Sequence, residues 1–306
     1  MRILSLLPAA TDVVAGLGLA PRLVGVTHEC DAPAAAGVAR VTSSAIDAAA
    51  DAAAVDAAVR EASGSGAPLF RLDEARIAAL APDVVLTQRL CDVCAVSETD
   101  VRALAARLSP APLVVTLGGT TLDGIWDDVA AVAGALGAAE RGRAMVEEAR
   151  GRLRRVHETL KAARAPRPRV AVIEWGEPVY AAGHWVPEMV RRAGGVDALA
   201  APGEHSRPRA VADVAAADPE VVLVAPCGYD AARAEAEAGR LLARSEWAWA
   251  RGRRVWAVDA NRLTSRPSPT VVRGVEVLAA VLAPGLFPPP DAAEARPLST
   301  SDDGCR

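Results

Sequence analysis

Apolar positions along this chain follow two rhythms. Some form short uninterrupted runs, and others recur at spacings of three and four residues. The runs predict strands at Arg2–Leu7, Leu23–Val26, Asp83–Thr87, Leu113–Thr116, Arg169–Ile173, Val221–Ala225 and Arg254–Val258. The stripes predict helices over Asp12–Leu17, Asp47–Arg60, Leu72–Leu80, Asp100–Leu108, Leu122–Leu136, Pro187–Arg192, Val211–Ala216 and Val271–Leu282. Pro8 ends the first strand, while Thr11 is placed to cap the first helix and Gly18 to close it. Ser63–Gly66 and Gln88–Ser97 read as polar loops. Strands alternating with helices mean an α/β chain with mostly parallel sheets.

One stripe is longer than the rest. Val146, Ala149, Leu153, Val156, Leu160 and Ala163 predict a single helix over Ala138–Arg164, which Pro166 and Pro168 stop. Glu148 precedes Arg152 in the favourable i,i+4 order. At 1.5 Å per residue such a helix spans roughly 40 Å. The segments on its two sides echo each other. Ala81-Pro82-Asp83-Val84-Val85-Leu86 matches Asp218-Pro219-Glu220-Val221-Val222-Leu223, and a helix precedes each phrase. The expected organisation is an N-terminal α/β lobe over 1–137, a connecting helix over 138–165 and a C-terminal α/β lobe over 166–287. A disordered tail over 288–306 would follow. One continuous helix resists bending, so small rotations of the lobes are expected and no wide hinge.

Composition narrows the class. The chain has 306 residues, 51% of them hydrophobic, enough for a full core. A net charge of −4 with scattered arginines argues against nucleic acid or an anionic membrane as the main partner. No run approaches the ~18 apolar residues of a membrane helix. The opening ILSLLP is too short for a secretory h-region. As written the sequence reads as a cytoplasmic monomer; a start further upstream would make it periplasmic or cell-surface. Five cysteines, an odd number in so long a chain, suit reduced thiols better than disulfides.

Ligands of open parallel sheets bind beyond the C-terminal ends of the strands. There the first half places His28, Glu29, Cys30 and Asp31, then Gln88, Cys91, Asp92 and Cys94. The second half places Glu174, Trp175, His184, Trp185 and Glu188, then Cys227, Asp259 and Asn261. Cys91-Asp92-Val93-Cys94 has the spacing of metal ligands and of redox pairs, but a structural zinc site wants a second pair. His28, Cys30 or Cys227 would have to complete it through tertiary contact. Glu174, His184 and Glu188 suit acid–base groups or satisfied polar residues equally. Trp175 and Trp185 suit core packing or flat walls for a planar ligand. No nucleophile–base pair is legible, and neither a GxxxxGK[ST] loop nor a dinucleotide fingerprint occurs, which argues against an enzyme with a nucleotide cofactor.

Four phrases carry a family likeness: ILSLLPAATDVVAGLGLAPRLVGVTHECDAP, APDVVLTQRLCDVCAVS, EWGEPVYAAGHWVPEMVRRAGG and DPEVVLVAPCG. They resemble the cobalamin and iron-siderophore class of ABC-transporter substrate-binding proteins, especially its cobalamin-binding branch, from about Arg2 to Leu282. The resemblance implies two Rossmann-like lobes joined by one long rigid helix, with ligand held in a cleft between them. It implies a non-catalytic protein that needs no cofactor, binds a corrinoid or other metal chelate, and has an ABC permease and ATPase as partners. The motif-matched ligand positions are His28, Gln88, Cys91, Trp175 and Trp185. Glu29, His184, Cys227 and Asp259 join them from the residue reading. Glutamates that dock such proteins on their transporter would fall near Ala75 and Ala212, beside Asp73, Glu74 and Asp213. The competing reading is a cytoplasmic metal-binding protein or metal-dependent enzyme, using Cys91, Cys94 and His28 or Cys227.

Overall fold

A computed structural model describes residues 1–46, 52–65, 69–90 and 96–299. Cys91, Asp92 and Cys94, with the metal reading placed on them, lie outside the described residues. The chain divides into two units: Met1–Gly119 with Asp123–Glu148, and Thr120–Leu122 with Ala149–Arg306.

The first unit is built on strands β1 (Ile3–Ser5), β2 (Leu23–Val26), β3 (Ala39–Arg40), β4 (Thr42–Ser44), β5 (Phe70–Leu72), β6 (Val84–Gln88) and β7 (Leu113–Leu117). Five of them form a wholly parallel sheet in the order β3-β2-β1-β6-β7. β4 and β5 pair antiparallel as a separate ribbon. Helices α1 (Pro8–Gly16), α2 (Ala52–Ser65), α3 (Glu74–Leu80), α4 (Glu98–Arg107) and α5 (Leu122–Ala135) connect the strands. The strand order reverses between β1 and β6, and in such sheets the crevice at that switch takes the ligand. Ile3, Leu86 and Leu117 face one apolar cluster with α1 and α5, while Leu4 and Val85 face another with Ile77, Val101 and Leu104. Strands buried on both faces explain the uninterrupted apolar runs in the sequence.

Helix α6 (Ala139–Ala162) runs 24 residues and belongs to both units. Gly142, which costs about 1 kcal/mol of helix propensity, has a packing reason. A Cβ there would run into the Ala133 side chain of α5, so glycine lets the two helices touch. Further along, Ala149, Leu153, Val156 and Leu160 are buried. Arg152, expected to pair with Glu148, bonds Glu276 through a two-pronged guanidinium contact, at 2.8 and 2.6 Å.

The second unit has strands β8 (Arg169–Gly176), β9 (Val179–Ala181), β10 (Val196–Asp197), β11 (Arg207–Pro208), β12 (Val221–Val224), β13 (Arg254–Val258) and β14 (Ala295–Leu298). Its helices are α7 (Val186–Arg192), α8 (Val211–Ala216), α9 (Ala231–Ala243), α10 (Ala260–Leu263) and α11 (Val271–Leu282). The sheet order is β11-β9-β8-β12-β13-β14, with β10 also on β8. Its centre, β8-β12-β13, is parallel, and its margins β9, β11 and β14 are antiparallel. β8 is the switch strand here, with β9 and β10 to one side and β12 to the other.

The repeated phrase is a repeated structure. Ala81 and Asp218 both adopt left-handed backbone, with φ of 38° and 47°. Asp83 accepts the Arg2 amide at 2.6 Å, and Glu220 accepts the Arg169 amide at 2.9 Å. The Arg2 side chain reaches the Leu80 carbonyl, and that of Arg169 reaches the Ala217 carbonyl. Each arginine at the head of a first strand thus ties off the last turn of the preceding-phrase helix, whose final carbonyls lack intrahelical partners.

Several expectations change. Pro8 opens α1 at its first position instead of only closing β1, because its fixed φ suits that place and its missing N–H is not needed there. Thr11 is therefore inside the helix, where it bonds Ser5 Oγ at 2.9 Å. The Ser63–Gly66 loop gives way, as far as Ser65, to the end of α2. Leu72 closes β5, and Asp73 caps α3 through the Arg76 amide. Helix α9, unassigned above, is capped by Asp230 and buries Ala231, Ala234, Ala238 and Leu241. The segment expected to be a disordered tail from 288 holds β14, which covers the outer edge of β13. Arg273 grips Glu294 in this segment with two bonds of 2.7 Å.

Asp197 ends β10 and turns the chain with bonds from the Leu199 and Ala200 amides. Its Oδ2 is buried without a partner, and burial pushes the carboxyl up to about 6. The folded state therefore binds a proton that the unfolded chain releases near pH 3.9. Stability should fall as pH rises from about 4 to 6 and then level off, with an amplitude on the order of 2–3 kcal/mol. Asp197→Asn should flatten that limb in urea unfolding measured across this range. An unchanged slope would assign it to another group.

Candidate functional site

The C-terminal ends of the parallel strands collect polar and aromatic side chains in each unit. In the first, His28 follows β2 and is anchored by the β4–β5 ribbon. Its amide donates to Thr42 Oγ1 at 2.9 Å, and its Nδ1 lies 2.6 Å from the same hydroxyl. Thr42 is in turn 3.0 Å from the Thr27 hydroxyl. Phe70 of β5 sits 5.8 Å from the imidazole centre. Burial, and then the positive charge of Arg40, lowers the His28 pKa, so the ring is neutral at neutral pH. Glu29 beside it is exposed. Gln88 closes β6 and is half-buried, paired in register with Leu117. Cys30 is 2% exposed inside the apolar core, which removes it from any ligand set.

In the second unit the switch between β8 and β12 brings Glu174, Trp175 and Cys227 together. The Cys227 amide donates to the Glu174 carbonyl at 3.1 Å, and its thiol is exposed. Half-buried Trp175 meets Tyr229 edge-on, with ring centres 5.8 Å apart. The Arg233 guanidinium lies 3.8 Å above the Tyr229 ring. Both oxygens of Glu174 accept from Ser206 Oγ, at 2.8 and 2.9 Å. Burial holds that carboxyl above its usual range, against the pull of bonds from Ser206 and the Gly183 amide.

His184 precedes α7 with φ +53°, and its Nε2 is 3.1 Å from Nδ1 of His205. Burial first, and His205 second, lowers its pKa.

Two expected ligand residues face inward. Trp185 is 6% exposed and its indole N–H donates to the Thr264 carbonyl at 2.7 Å, so it packs the core instead of walling a ligand. Asp259 is buried as the cap of α10, accepting the Arg262 amide at 3.0 Å. Glu188 is likewise structural, held by Arg191, Arg192 and the Leu122 amide. The residues that sequence reading passed over are Thr42, Phe70, His205, Ser206, Tyr229 and Arg233. Rarity was an available signal, since the chain has only two Phe and two Tyr, and one of each packs, buried, against His28 or Trp175. Among the described residues no group of three or more His, Cys, Asp or Glu could hold a metal ion. Cys30, buried in the core, is not available to complete a site with Cys91 and Cys94, which lie outside the described residues.

Comparison with known proteins agrees with the fold. A family model described as periplasmic binding protein matches residues 3–254. No curated protein sequence matches the chain. Among solved structures, a periplasmic heme binding protein from Pseudomonas aeruginosa is similar, with 23% identity over 97% of this chain and 95% of its own, at a TM-score of 0.68. The heme-binding protein RhuT from Roseiflexus sp. RS-1 has 20% identity over 92% and 97%, at 0.65. The vitamin B12 binding protein BtuF of Vibrio cholerae has 22% identity over 92% and 96%, at 0.62. At these identities the likeness establishes the fold.

Proposed function

Because the chain belongs to the periplasmic binding protein family, we propose that it is the substrate-binding component of an ABC transporter and that its ligand is a corrinoid. The observation that carries the ligand class is the Trp175–Tyr229–Arg233 group. A partly open indole offers an apolar face to a flat macrocycle. The guanidinium over the neighbouring Tyr229 ring suits the phosphate of a corrinoid's nucleotide arm. His28, Glu29 and Gln88 in the first unit, and Cys227 in the second, are the further ligand positions in this reading. No described helix is long and apolar enough to cross a membrane. Of the two locations stated above, we adopt the periplasmic or cell-surface one, with a permease and ATPase as partners.

Haem is the second reading. The neutral imidazole of His28 favours it, because an uncharged ring is the form that ligates iron. Titration with hydroxocobalamin, cobinamide and haemin separates the two, read by tryptophan quenching and by the ligand's visible bands. Trp175→Ala should weaken corrinoid binding about tenfold, near 1.4 kcal/mol, and Trp175→Phe should recover most of it. Preferential haemin binding would install the second reading. Binding of none of the three would remove both.

A further inference from the structure

We propose that His184 and His205 form a chelating site for a divalent late first-row transition-metal ion, separate from the macrocycle site. The distance between the two nitrogens, 3.1 Å, is the first ground. Two imidazole nitrogens each about 2.1 Å from one zinc-like ion stand roughly 3.0–3.4 Å apart at angles between 90° and tetrahedral. The nitrogen–nitrogen distance of the bite therefore exists before the ion arrives, and small ring rotations aim both nitrogens at it.

The second ground is how firmly the pair is held. The His184 amide donates to the Glu204 carbonyl, and the Gly203 amide donates back to the His184 carbonyl at 2.8 Å. Ser206, the residue after His205, is fixed on Glu174. His184 itself adopts a left-handed backbone, uncommon outside glycine though histidine is among the residues that tolerate it, and such conformations concentrate at functional positions. Its ring leans on Trp185 at 5.7 Å.

A tetrapyrrole or corrin cannot use this bite, because its ring fills the equatorial positions and leaves one site on each face. Two nitrogens of one protein at neighbouring positions require an ion with adjacent open sites, an aqua ion. No third His, Cys, Asp or Glu completes the group among the described residues, so water or a small oxygen or nitrogen donor holds the remaining positions. In the ion-free pair one proton bridges the two nitrogens. On binding it moves by tautomerisation to the outer nitrogen of the same ring, and no net proton is released.

The test is calorimetric titration of Ni2+ into the full chain carrying Cys91→Ser and Cys94→Ser, so that thiolates do not compete. One ion per chain is expected. His205→Ala, His205→Gln and His184→Asn should each weaken it at least about tenfold, since each leaves a single imidazole. Asparagine keeps the left-handed backbone at position 184 accessible. Ni2+ should also raise the melting temperature of the parent and not that of the three variants. Absence of saturable Ni2+ binding by the parent, or equal binding by the variants, would overturn the proposal. Corrinoid titration of the same proteins is read separately and bears on the Trp175 group only.

Discussion

Trp247→Ala is expected to lower the unfolding free energy by about 3–5 kcal/mol, the range for removing a buried aromatic side chain. Trp247 is 2% exposed and lies in the apolar cluster formed by Ile173, Val214, Val222, Leu241 and Val255. It stacks on Trp249 with ring centres 5.5 Å apart. Truncation leaves a void bounded by β8, β12 and α9, and the sheet hydrogen bonds that lock the two strands limit collapse. Chemical denaturation should show a lower midpoint with little change in slope. Trp247→Phe should recover part of the loss by refilling the volume. A midpoint within experimental scatter of the parent would mean that the indole is not the keystone its burial indicates.

Gly183→Ala should cost about 3 kcal/mol, at the upper end of what overpacking usually does. A Cβ at position 183 would lie 2.6 Å from the Glu204 carbonyl oxygen and closer still to the Ser206 amide. Both obstacles are backbone, so no rotamer change relieves them. The substitution must push the 203–206 loop away from His184. It should therefore weaken Ni2+ uptake together with stability, whereas Trp247→Ala should change stability alone at temperatures where the variant stays folded. Unfolding curves and Ni2+ titrations on both variants check this split. A Gly183→Ala chain with parental stability would show that the two loops do not touch as described.

Element type was largely legible from local pattern. Leu23–Val26, Val211–Ala216, Arg254–Val258 and Val271–Leu282 form with the boundaries that apolar spacing predicts. The matched phrases at Ala81 and Asp218 adopt the same local structure, with a shared left-handed residue and an arginine tie. Local signals suffice there because strand and helix periods follow from backbone geometry within a few residues. Helix α9 was legible as well, through Asp230 and the spacing of Ala231, Ala234, Ala238 and Leu241, but alanine is a faint apolar marker.

The sequence by itself determined the α/β class, the alternation that builds parallel sheets, and the strand ends where His28, Gln88, Glu174 and Cys227 gather. Only the tertiary structure decided which of those side chains turn outward. Trp175 and Trp185 are ten residues apart and chemically alike, yet one is partly open beside Tyr229 and the other donates its N–H to Thr264 in the core. Asp259 became a helix cap and Cys30 a core residue. His205, unremarkable in its loop, met His184 across 21 positions. The reason is that orientation and partnership depend on contacts between residues distant in the chain, and no local period encodes them.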